Sequence, residues 1–340
     1  MRILAAVLFI LCALPALRAQ DAVLSTSHVA TTHLNPASYG LFDGSVRITA
    51  AYRNQWRGTG ANFNTIFAAL DGKVVGFNDR SYLGFGVQAM SDRAGDLSLR
   101  TTQVNGGLNY ALSFSRYRMH WLSVGIRAGM VQSAIDFSGV NDVFDTGDPS
   151  FGTTGGSQIA VDLGAGIFYY LEATDAVSLF GGFSADHLGR PTLDLAAGAG
   201  ADEELEVRFA AQVGADIRLT DRFSLLPSVL SVHQIPHDQI QFGSAFRVDL
   251  GGDHRSSQTA LSLGIDYRLN FTSVSDGALD ALLATARLDH KRLTAALTYD
   301  LNLSGLLEAT NGYGGVEASV IYRVGSFERA PRSFVGCPSF

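Results

Sequence analysis

Histidines and carboxylates are the residues of this sequence whose types and spacing could bind a metal ion. His233 and His237 lie four residues apart, a separation that would place both imidazoles on one face of a helix. Pro236 lies between them and rules out a regular helix, so the sequence predicts two solvated loop histidines. His187 lies at the end of a predicted strand, where a structural hydrogen bond is the expected role.

Two other motifs have part of the composition of a binding site but not its context. Asp142, Asp145 and Asp148 share one loop and offer oxygen ligands for calcium, yet the rest of an EF-hand loop is missing, which favours a solvated acidic loop. Gly84-Phe85-Gly86 resembles part of a phosphate-binding motif, but no helix follows it. No serine, histidine and acid have the spacing of a hydrolase motif. The sequence therefore predicts no enzyme, no metal site and no cofactor.

The elements that position these residues are strands with alternating side chains. In segment 260–270, Leu, Ile and Tyr occupy one set of alternate positions, and Ser, Gly, Asp, Arg and Asn occupy the other; we call each set a parity. This pattern gives a strand one apolar and one polar face. The alternation recurs at 208–219, 293–304 and 316–324. Such lengths match the roughly 9–11 residues of a strand that crosses a membrane. The polar parity is rich in Gly, Ser, Thr, Asp and Arg, which favours a crowded lumen over the solvated face of a soluble sandwich.

This pattern predicts an all-β fold, a single transmembrane antiparallel β-barrel of about 14 strands (range 12–16) over residues 44–325. The strand candidates are 44–57, 62–77, 80–91, 99–115, 118–137, 157–172, 174–187, 203–220, 221–231, 239–251, 256–270, 280–290, 291–302 and 312–325. Tight connections alternate with mostly longer ones, including 232–238 and 272–279, as short periplasmic turns alternate with outer loops in such barrels. An even strand count places both termini on the periplasmic side.

Composition agrees with a barrel in the outer membrane. Charged residues make up 17%, there are 37 glycines, and the mean hydropathy is +0.14. No apolar run after the first twenty residues is long enough for a transmembrane helix. The net charge of −7 and the lack of a basic cluster argue against nucleic acid as a partner. Outer-membrane lipids are the expected surroundings.

The two ends of the chain indicate export. A basic start followed by a short apolar core predicts a cleaved signal peptide at residues 1–19. Residues 20–43 are then expected to form a periplasmic N-terminal segment, and residues 326–340 a periplasmic C-terminal tail. Cys337 is the one cysteine left after cleavage, so no intramolecular disulfide is expected. The predicted location is the outer membrane of a Gram-negative cell.

Charged residues on the polar parity are expected to face the lumen. They are Arg208, Asp216, Arg218, Asp266, Arg268, Asp300, Glu317 and Arg323, with Arg47, Arg53 and Asp162 in addition. Arginine suits a lumen because its guanidinium can bond several carboxylates and carbonyls at once. Ion pairs between these arginines and carboxylates would connect opposite walls of the barrel and close the lumen. The alternative is a selectivity lining for solutes in an open channel.

Several short motifs occur along the chain. Their residues are Asn35, Pro36, Ala37, Gly40, Tyr52, Arg53, Gln55, Trp56, Asp92, Gly95, His187, Pro191, Cys337, Pro338 and Phe340. Together these motifs resemble one family of outer-membrane proteins, PorP/SprF of the type IX secretion system and its gliding machinery. The resemblance runs from about residue 28 to the end of the chain. Ser339 stands where the family more often has a basic residue.

The resemblance implies a role in the export or surface anchoring of a secreted protein or adhesin that carries a C-terminal sorting domain. Other type IX secretion components would be further partners. The residues are compatible with a rigid, plugged barrel that anchors such cargo. A passive outer-membrane channel for small or hydrophobic solutes is the alternative.

Overall fold

A computed structural model of the protein describes residues 21–55, 63–75, 80–95, 99–115, 120–134, 157–193, 203–250, 258–272, 275–304 and 312–325. Fourteen antiparallel strands close into one barrel, which confirms the predicted fold class. The barrel strands are β1 Val46–Gln55, β2 Phe63–Val75, β3 Ser81–Ala94, β4 Leu99–Ser113, β5 His120–Ala134, β6 Ser157–Glu172, β7 Val177–Asp186, β10 Arg208–Arg218, β11 Phe223–Gln234, β12 His237–Leu250, β13 Thr259–Thr272, β14 Ser275–His290, β15 Leu293–Asn302 and β16 Tyr313–Val324.

The remaining elements are short. Strands β8 Thr192–Leu193 and β9 Glu203–Glu204 form a separate two-stranded sheet between β7 and β10. A four-residue helix, α1 Thr31–Leu34, is followed by the 3-10 turn Pro36–Ser38. Among the described residues, no helix is long and apolar enough to cross a membrane.

Each barrel strand pairs with its neighbour in the chain, and β1 closes the barrel against β16. That last pairing runs without a break from Val46 opposite Val324 to Gln55 opposite Gly315. The hairpin order leaves no open sheet edge, which a barrel in hydrocarbon requires because lipid offers no hydrogen bonds.

Apolar side chains lie on the outside of this barrel and polar ones on the inside. Leu263 and Ile265 of β13 are 58% and 56% exposed, whereas Ser262 between Leu261 and Leu263 is 4% exposed. A soluble sandwich would bury the leucines instead. The outward apolar parity is the surface that faces lipid in a transmembrane barrel, as the alternation predicts.

We call the end of the barrel that carries residues 187–207 the upper end, and the opposite end the lower end. The connections at the upper end were predicted to be mostly longer, and two of those named, 232–238 and 272–279, are short. Gln234 pairs with His237, and Thr272 pairs with Ser275, so only two residues separate each pair of strands. Backbone pairing depends on available N–H and C=O groups rather than on side-chain polarity, so a ladder can continue through polar residues that look like a loop.

The N-terminal segment also differs from its expected place. Residues 21–42 lie inside the barrel, with Asp21 near the upper end, whereas β1 begins at the lower end. Strand alternation locates the start of β1 but carries no information about a preceding segment that folds back into the lumen. Residues 20–43 were expected to lie in the periplasm, whereas residues 21–42 lie in the lumen. The exact domain boundaries stay predictions.

Candidate functional site in the plugged lumen

The candidate site is the lumen together with residues 21–42, which we call the plug. The plug passes through the barrel from Asp21 near the upper end to Phe42 near the lower end. Ala37, Tyr39 and Phe42 of the plug have no exposed surface. Because the plug is not a strand, its polar groups must bond to wall side chains, and three clusters of charged residues provide those bonds.

The upper cluster joins the start of the plug to the wall through His187. The imidazole Nε2 lies 2.6 Å from Oδ2 of Asp21, and Nδ1 lies 2.9 Å from Oδ1 of Asp162 on β6. His187 directly follows β7 and has a positive φ of 57°, a conformation that turns the chain sharply at this point. The ring is 1% exposed, so both bonds are shielded from water.

The charge of His187 follows from its surroundings. Burial is the largest influence and lowers the pKa of the imidazole, but the carboxylates of Asp21 and Asp162 outweigh it and raise the pKa to about 9. Burial likewise raises the pKa of Asp21, but His187 and Arg208 outweigh it and hold this pKa below its usual range. His187 is therefore a buried imidazolium that donates a hydrogen bond to each carboxylate at neutral pH.

Two arginines extend the upper cluster across the lumen. Arg208, the first residue of β10, lies 3.2 Å from Asp21 and 2.9 Å from Asp186, and the other oxygen of Asp186 lies 2.5 Å from Arg127 on β5. Both guanidinium groups also donate to the backbone oxygen of His33 in α1. The result connects β5, β6, β7, β10 and the plug in one buried network, which locks the plug to the wall.

His33 itself is held neutral. Burial, then the positive charges of Arg208 and Arg127, lower the pKa of this imidazole well below its usual value. Its Nε2 lies 3.1 Å from Arg208 Nη1, a geometry that fits an arginine N–H donating to a neutral ring nitrogen.

The middle cluster fixes the plug through its backbone. The N–H groups of Ser25 and Thr26 donate to the two carboxylate oxygens of Glu317, at 2.6 and 2.9 Å. Ser25 Oγ donates to Asp300 at 2.7 Å, and Asp300 also accepts from Arg53 at 2.9 Å and Arg268 at 3.0 Å. These wall residues come from β1, β13, β15 and β16, so the cluster braces the side of the lumen where the barrel closes.

The Asn35-Pro36-Ala37 motif lies against the opposite wall. Asn35 Oδ1 accepts from the N–H of Ala37 at 2.9 Å and caps the 3-10 turn, while its Nδ2 donates to the carbonyl of Ile167 at 3.0 Å. The wall is built to receive the turn: a Cβ on Gly125 of β5 would lie 2.6 Å from backbone atoms of Pro36 and Ala37. Only glycine at that position lets the turn approach so closely.

The lower cluster holds the end of the plug. The N–H of Gly40 donates to Asp71 on β2 at 2.8 Å, and the same carboxylate receives two bonds from Arg47, at 2.8 and 2.9 Å. Lys73 Nζ donates to the carbonyl oxygen of Phe42. The Arg47 guanidinium lies 4.8 Å from the centre of the Phe42 ring, a cation–π contact that adds to the ion pair.

The structure brings some predicted lumen charges together and leaves others apart. Arg208, Arg268, Asp300 and Glu317 join the clusters described above. The remaining four lie on the inward parity outside them, namely Asp216, Arg218, Asp266 and Arg323, and Arg323 donates to Thr294 at 3.3 Å. Asp21 and His33 of the plug, and Asp71 and Arg127 of the wall that bond it, were not in the sequence-based set.

Some of the motif residues contact the plug and others do not. Asn35, Pro36, Ala37, Gly40, Arg53 and His187 take part in plug contacts, whereas Tyr52 faces outward at 48% exposure. Asp92 accepts from Thr65 at 2.6 Å, Gln55 ends β1, Gly95 follows β3 with a φ of 65°, and Pro191 is buried beside β8. Trp56, Cys337, Pro338 and Phe340 lie outside the described residues, as do Asp142, Asp145 and Asp148. The functional roles of the motif stay predictions.

The histidines with metal-like spacing do not form a site. His233 Nδ1 bonds to the Asp238 carboxylate, and both side chains are about half exposed. His237 begins the next strand, β12, where it pairs with Gln234 across the turn. Within the described ranges, no three His, Cys, Asp or Glu side chains gather as metal ligands.

An apolar outer wall, a closed fourteen-stranded barrel and a lumen filled by the chain's own N-terminal segment define an outer-membrane β-barrel protein. The comparison with protein families gives the particular family: residues 16–322 match the type IX secretion system membrane protein PorP/SprF. The chain belongs to this family, as its motifs indicated, and its location is the outer membrane.

Solved structures support the fold. The Ralstonia pickettii toluene transporter TbuX has a TM-score of 0.51 and 13% identity, over 86% of this chain and 92% of that chain. The TodX deltaS2S3 mutant monoaromatic hydrocarbon channel has a TM-score of 0.50 and 13% identity, over 86% of this chain and 93% of that chain. At such identities the likeness concerns the fold alone. No curated protein matches the chain in sequence.

Proposed function

We propose that this protein supports the export or surface anchoring of a cognate secreted protein that carries a C-terminal sorting domain, within the type IX secretion and gliding machinery. Family membership supports the secretion role. The observation that carries the anchoring role is the plug, which three buried charge clusters hold along the length of the lumen. A barrel filled and braced in this way acts as a rigid scaffold rather than as a conduit for a folded protein.

The surface that meets cargo is proposed to lie at the upper end of the barrel. Loops on a rigid scaffold commonly carry recognition, and residues 187–207 and 135–156 connect strands at this end. His187 and Arg208 flank the first of these connections and bond directly to the plug. The upper cluster would therefore hold the end of β7 and the start of β10, where the connection 187–207 begins and ends, in a fixed position relative to the wall. The tail at residues 326–340 would face other secretion components in the periplasm.

Deletion of the gene tests this proposal. We expect the cognate surface protein to remain inside the cell or to appear in the medium, and a copy of the wild-type gene to restore surface display. Display is measured with an antibody to the cargo on intact cells. Unchanged display in the deletion strain would contradict the proposal.

Conductance in planar bilayers distinguishes the anchor from a passive solute channel. The wild-type barrel is expected to be silent, because the plug and its ion pairs occupy the lumen. A variant without residues 21–42 should open if it folds, which heat-modifiable migration on a gel would verify. Steady, large openings of the wild-type protein would favour the channel instead.

A further inference from the structure

A separate cavity of about 60 Å³ lies between the plug and the wall formed by β10 to β14. Ser25, Ser27, His28 and Thr31 of the plug form one side of it. One water needs roughly 10–15 Å³ of such cavity volume, so several waters or a small organic molecule would fit. Apart from Ser25, which also belongs to the middle cluster, its lining residues are separate from the three charge clusters that hold the plug.

Polar atoms without partners face the cavity. The atoms are His28 Nε2, Gln212 Nε2, Gln241 Oε1 and Ser262 Oγ, all buried and without a hydrogen-bond partner among the described residues. Burial, then the positive charge of Arg287, lowers the pKa of His28 to about 3, so its ring is neutral. Buried polar atoms without a partner are energetically costly, and a bound polar group would offset that cost.

The apolar part of the lining lies along β10 and β11, while Asp266, Thr285 and Arg287 add polar and charged groups from β13 and β14. Leu226 and Leu230 face inward there, and the ring of Phe180 lies across Gly214, where an added Cβ would be 2.2 Å from the ring. The cavity therefore has one side that can donate and accept hydrogen bonds and another that suits hydrocarbon. This is the lining expected for an amphipathic ligand.

The pairing of β10 with β11 is interrupted beside this cavity. Pairing between β10 and β11 runs from Phe209 to Gly214 and resumes at Ile217 in the same register. It skips the two positions where Ala215 and Asp216 would lie opposite Pro227 and Leu226. The carbonyl oxygen of Pro227 lies 3.0 Å from the Cβ position of Gly214, so this residue faces β10. Proline has no N–H to donate across that gap, and proline inside a sheet is typical of such breaks.

The cavity extends toward the outside at this interruption. Outward-parity residues Val213, Ala215, Pro227 and Val229 line it, whereas β12, β13 and β14 contribute inward-parity residues. Val213 and Val229 are 56% and 42% exposed on the lipid-facing wall. The cavity therefore reaches the part of the wall where β10 and β11 lack pairing, beside residues that face lipid.

We propose that this cavity binds a small uncharged amphiphile, such as an alcohol, that enters from the membrane between β10 and β11. Its hydroxyl would bond to Gln212, Gln241 and Ser262, and its chain would lie on Leu226, Val229 and Leu230. The ligand must be uncharged because an ion pays a large desolvation cost in hydrocarbon. Such binding goes beyond the proposed secretion role and does not depend on it.

Binding of tritiated n-hexanol to the full protein in lipid nanodiscs tests the site. We expect saturable binding with one site per barrel. Leu226→Trp should fill the cavity and weaken binding at least about tenfold, while Leu297→Trp on the outward wall of β15 should leave it unchanged. Ser262→Ala should weaken binding roughly fivefold without lowering barrel stability, because it removes one hydrogen bond and no folded-state partner.

Two results would overturn the site. Uptake by the wild type that never saturates would mean that the cavity holds water alone. Equal saturable binding by the wild type and a folded Leu226→Trp variant would place the ligand elsewhere.

Chemical labelling tests the route. Ser262→Cys in a Cys337→Ser background places one thiol in the cavity, and an uncharged methanethiosulfonate should react with it at least about ten times faster than a sulfonated one. Pro227→Val restores an N–H opposite β10 and should slow the uncharged reagent severalfold. Equal rates for the two reagents would show that the cavity fills from water and would overturn lateral access.

Discussion

The imidazole of His187 lies 2.6 Å from the carboxylate of Asp21, although 166 residues separate them in the chain. One member of this pair begins the plug and the other begins the connection between β7 and β10. Asp162 on β6 accepts the second imidazole N–H. A single side chain therefore ties the plug, the wall and the upper connection together, so its loss should affect all three.

Replacing His187 with glutamine should destabilise the barrel. The substitution removes a buried positive charge that pairs with both Asp21 and Asp162, a change that typically costs about 3–5 kcal/mol. We expect a lower unfolding temperature, measured as the temperature at which heat-modifiable migration on a gel is lost. His233→Gln is the matched control, since its pair with Asp238 is about half exposed and should contribute little. Equal stability of His187→Gln and the wild type would contradict the structure of the upper cluster.

The same residue predicts a pH dependence. The folded-state pKa of His187 is raised to about 9 from an ordinary value of 6.5, so its stabilising contribution is complete below about pH 6.5 and is lost as pH rises through 9. The free energy of unfolding should fall by on the order of 3 kcal/mol across this range. Asp21, whose pKa is lowered, acts oppositely and loses its contribution as the solution becomes acidic.

Denaturant unfolding at several pH values measures this effect. His187→Gln should remove most of the decrease in stability at alkaline pH. A small decrease should remain, because other groups that titrate near pH 9 are still present in the variant. A wild type and a variant with parallel pH profiles would show that His187 is not the group responsible.

Glutamine in place of Glu317 should loosen the start of the plug. The carboxylate accepts from the backbone N–H groups of Ser25 and Thr26, and an amide offers only one oxygen for both. Hydrogen exchange at these two amides is expected to become at least about tenfold faster, measured by mass spectrometry. Glu204→Gln, at an exposed side chain paired with Arg190, should leave the exchange unchanged. Unchanged protection in Glu317→Gln would mean that other contacts hold this part of the plug.

A single methyl group tests how closely the Asn35-Pro36-Ala37 turn approaches the wall. In Gly125→Ala the new Cβ would lie 2.6 Å from backbone atoms of Pro36 and Ala37, too near for either chain to remain in place. We expect a loss of about 1–3 kcal/mol in stability and faster proteolysis of the plug. Gly106→Ala on β4 is the control, because its nearest neighbour would be at an ordinary 3.7 Å. Equal effects of both substitutions would argue against the close approach.

The barrel could be predicted from the sequence because one physical rule, alternation along a strand, repeats across many segments. Leu263 and Ser262 show it directly, one facing out and the other facing in. The plug could not be predicted in this way, since residues 21–42 have no regular alternation and bond to side chains far away in the chain. Asp21 and Asp71 were missed for that reason. Arg127 could have been found, because it shares the inward parity of Gly125 and Gly129 on β5.

The resemblance supplied what alternation could not. It selected Asn35 and His187, both of which contact the plug or belong to it, but it gave no partner for either residue. Partners depend on which wall the folded-back chain meets, and that is a property of three-dimensional packing rather than of local pattern. Two short upper connections were missed for a related reason, since strand pairing continued through polar residues at Gln234 and His237.

The orientation of the barrel in the outer membrane can be tested with two single cysteines. Ile235 lies in an upper turn and is 47% exposed, and Asp175 lies in an exposed lower turn between β6 and β7. In a Cys337→Ser background, a bulky membrane-impermeant maleimide should label Ile235→Cys on intact cells, and Asp175→Cys only after the outer membrane is permeabilised. The longer connections, and Asp21 of the plug, would then lie at the cell-surface end. The reverse labelling pattern would mean that the barrel has the opposite orientation and that the proposed cargo surface lies in the periplasm.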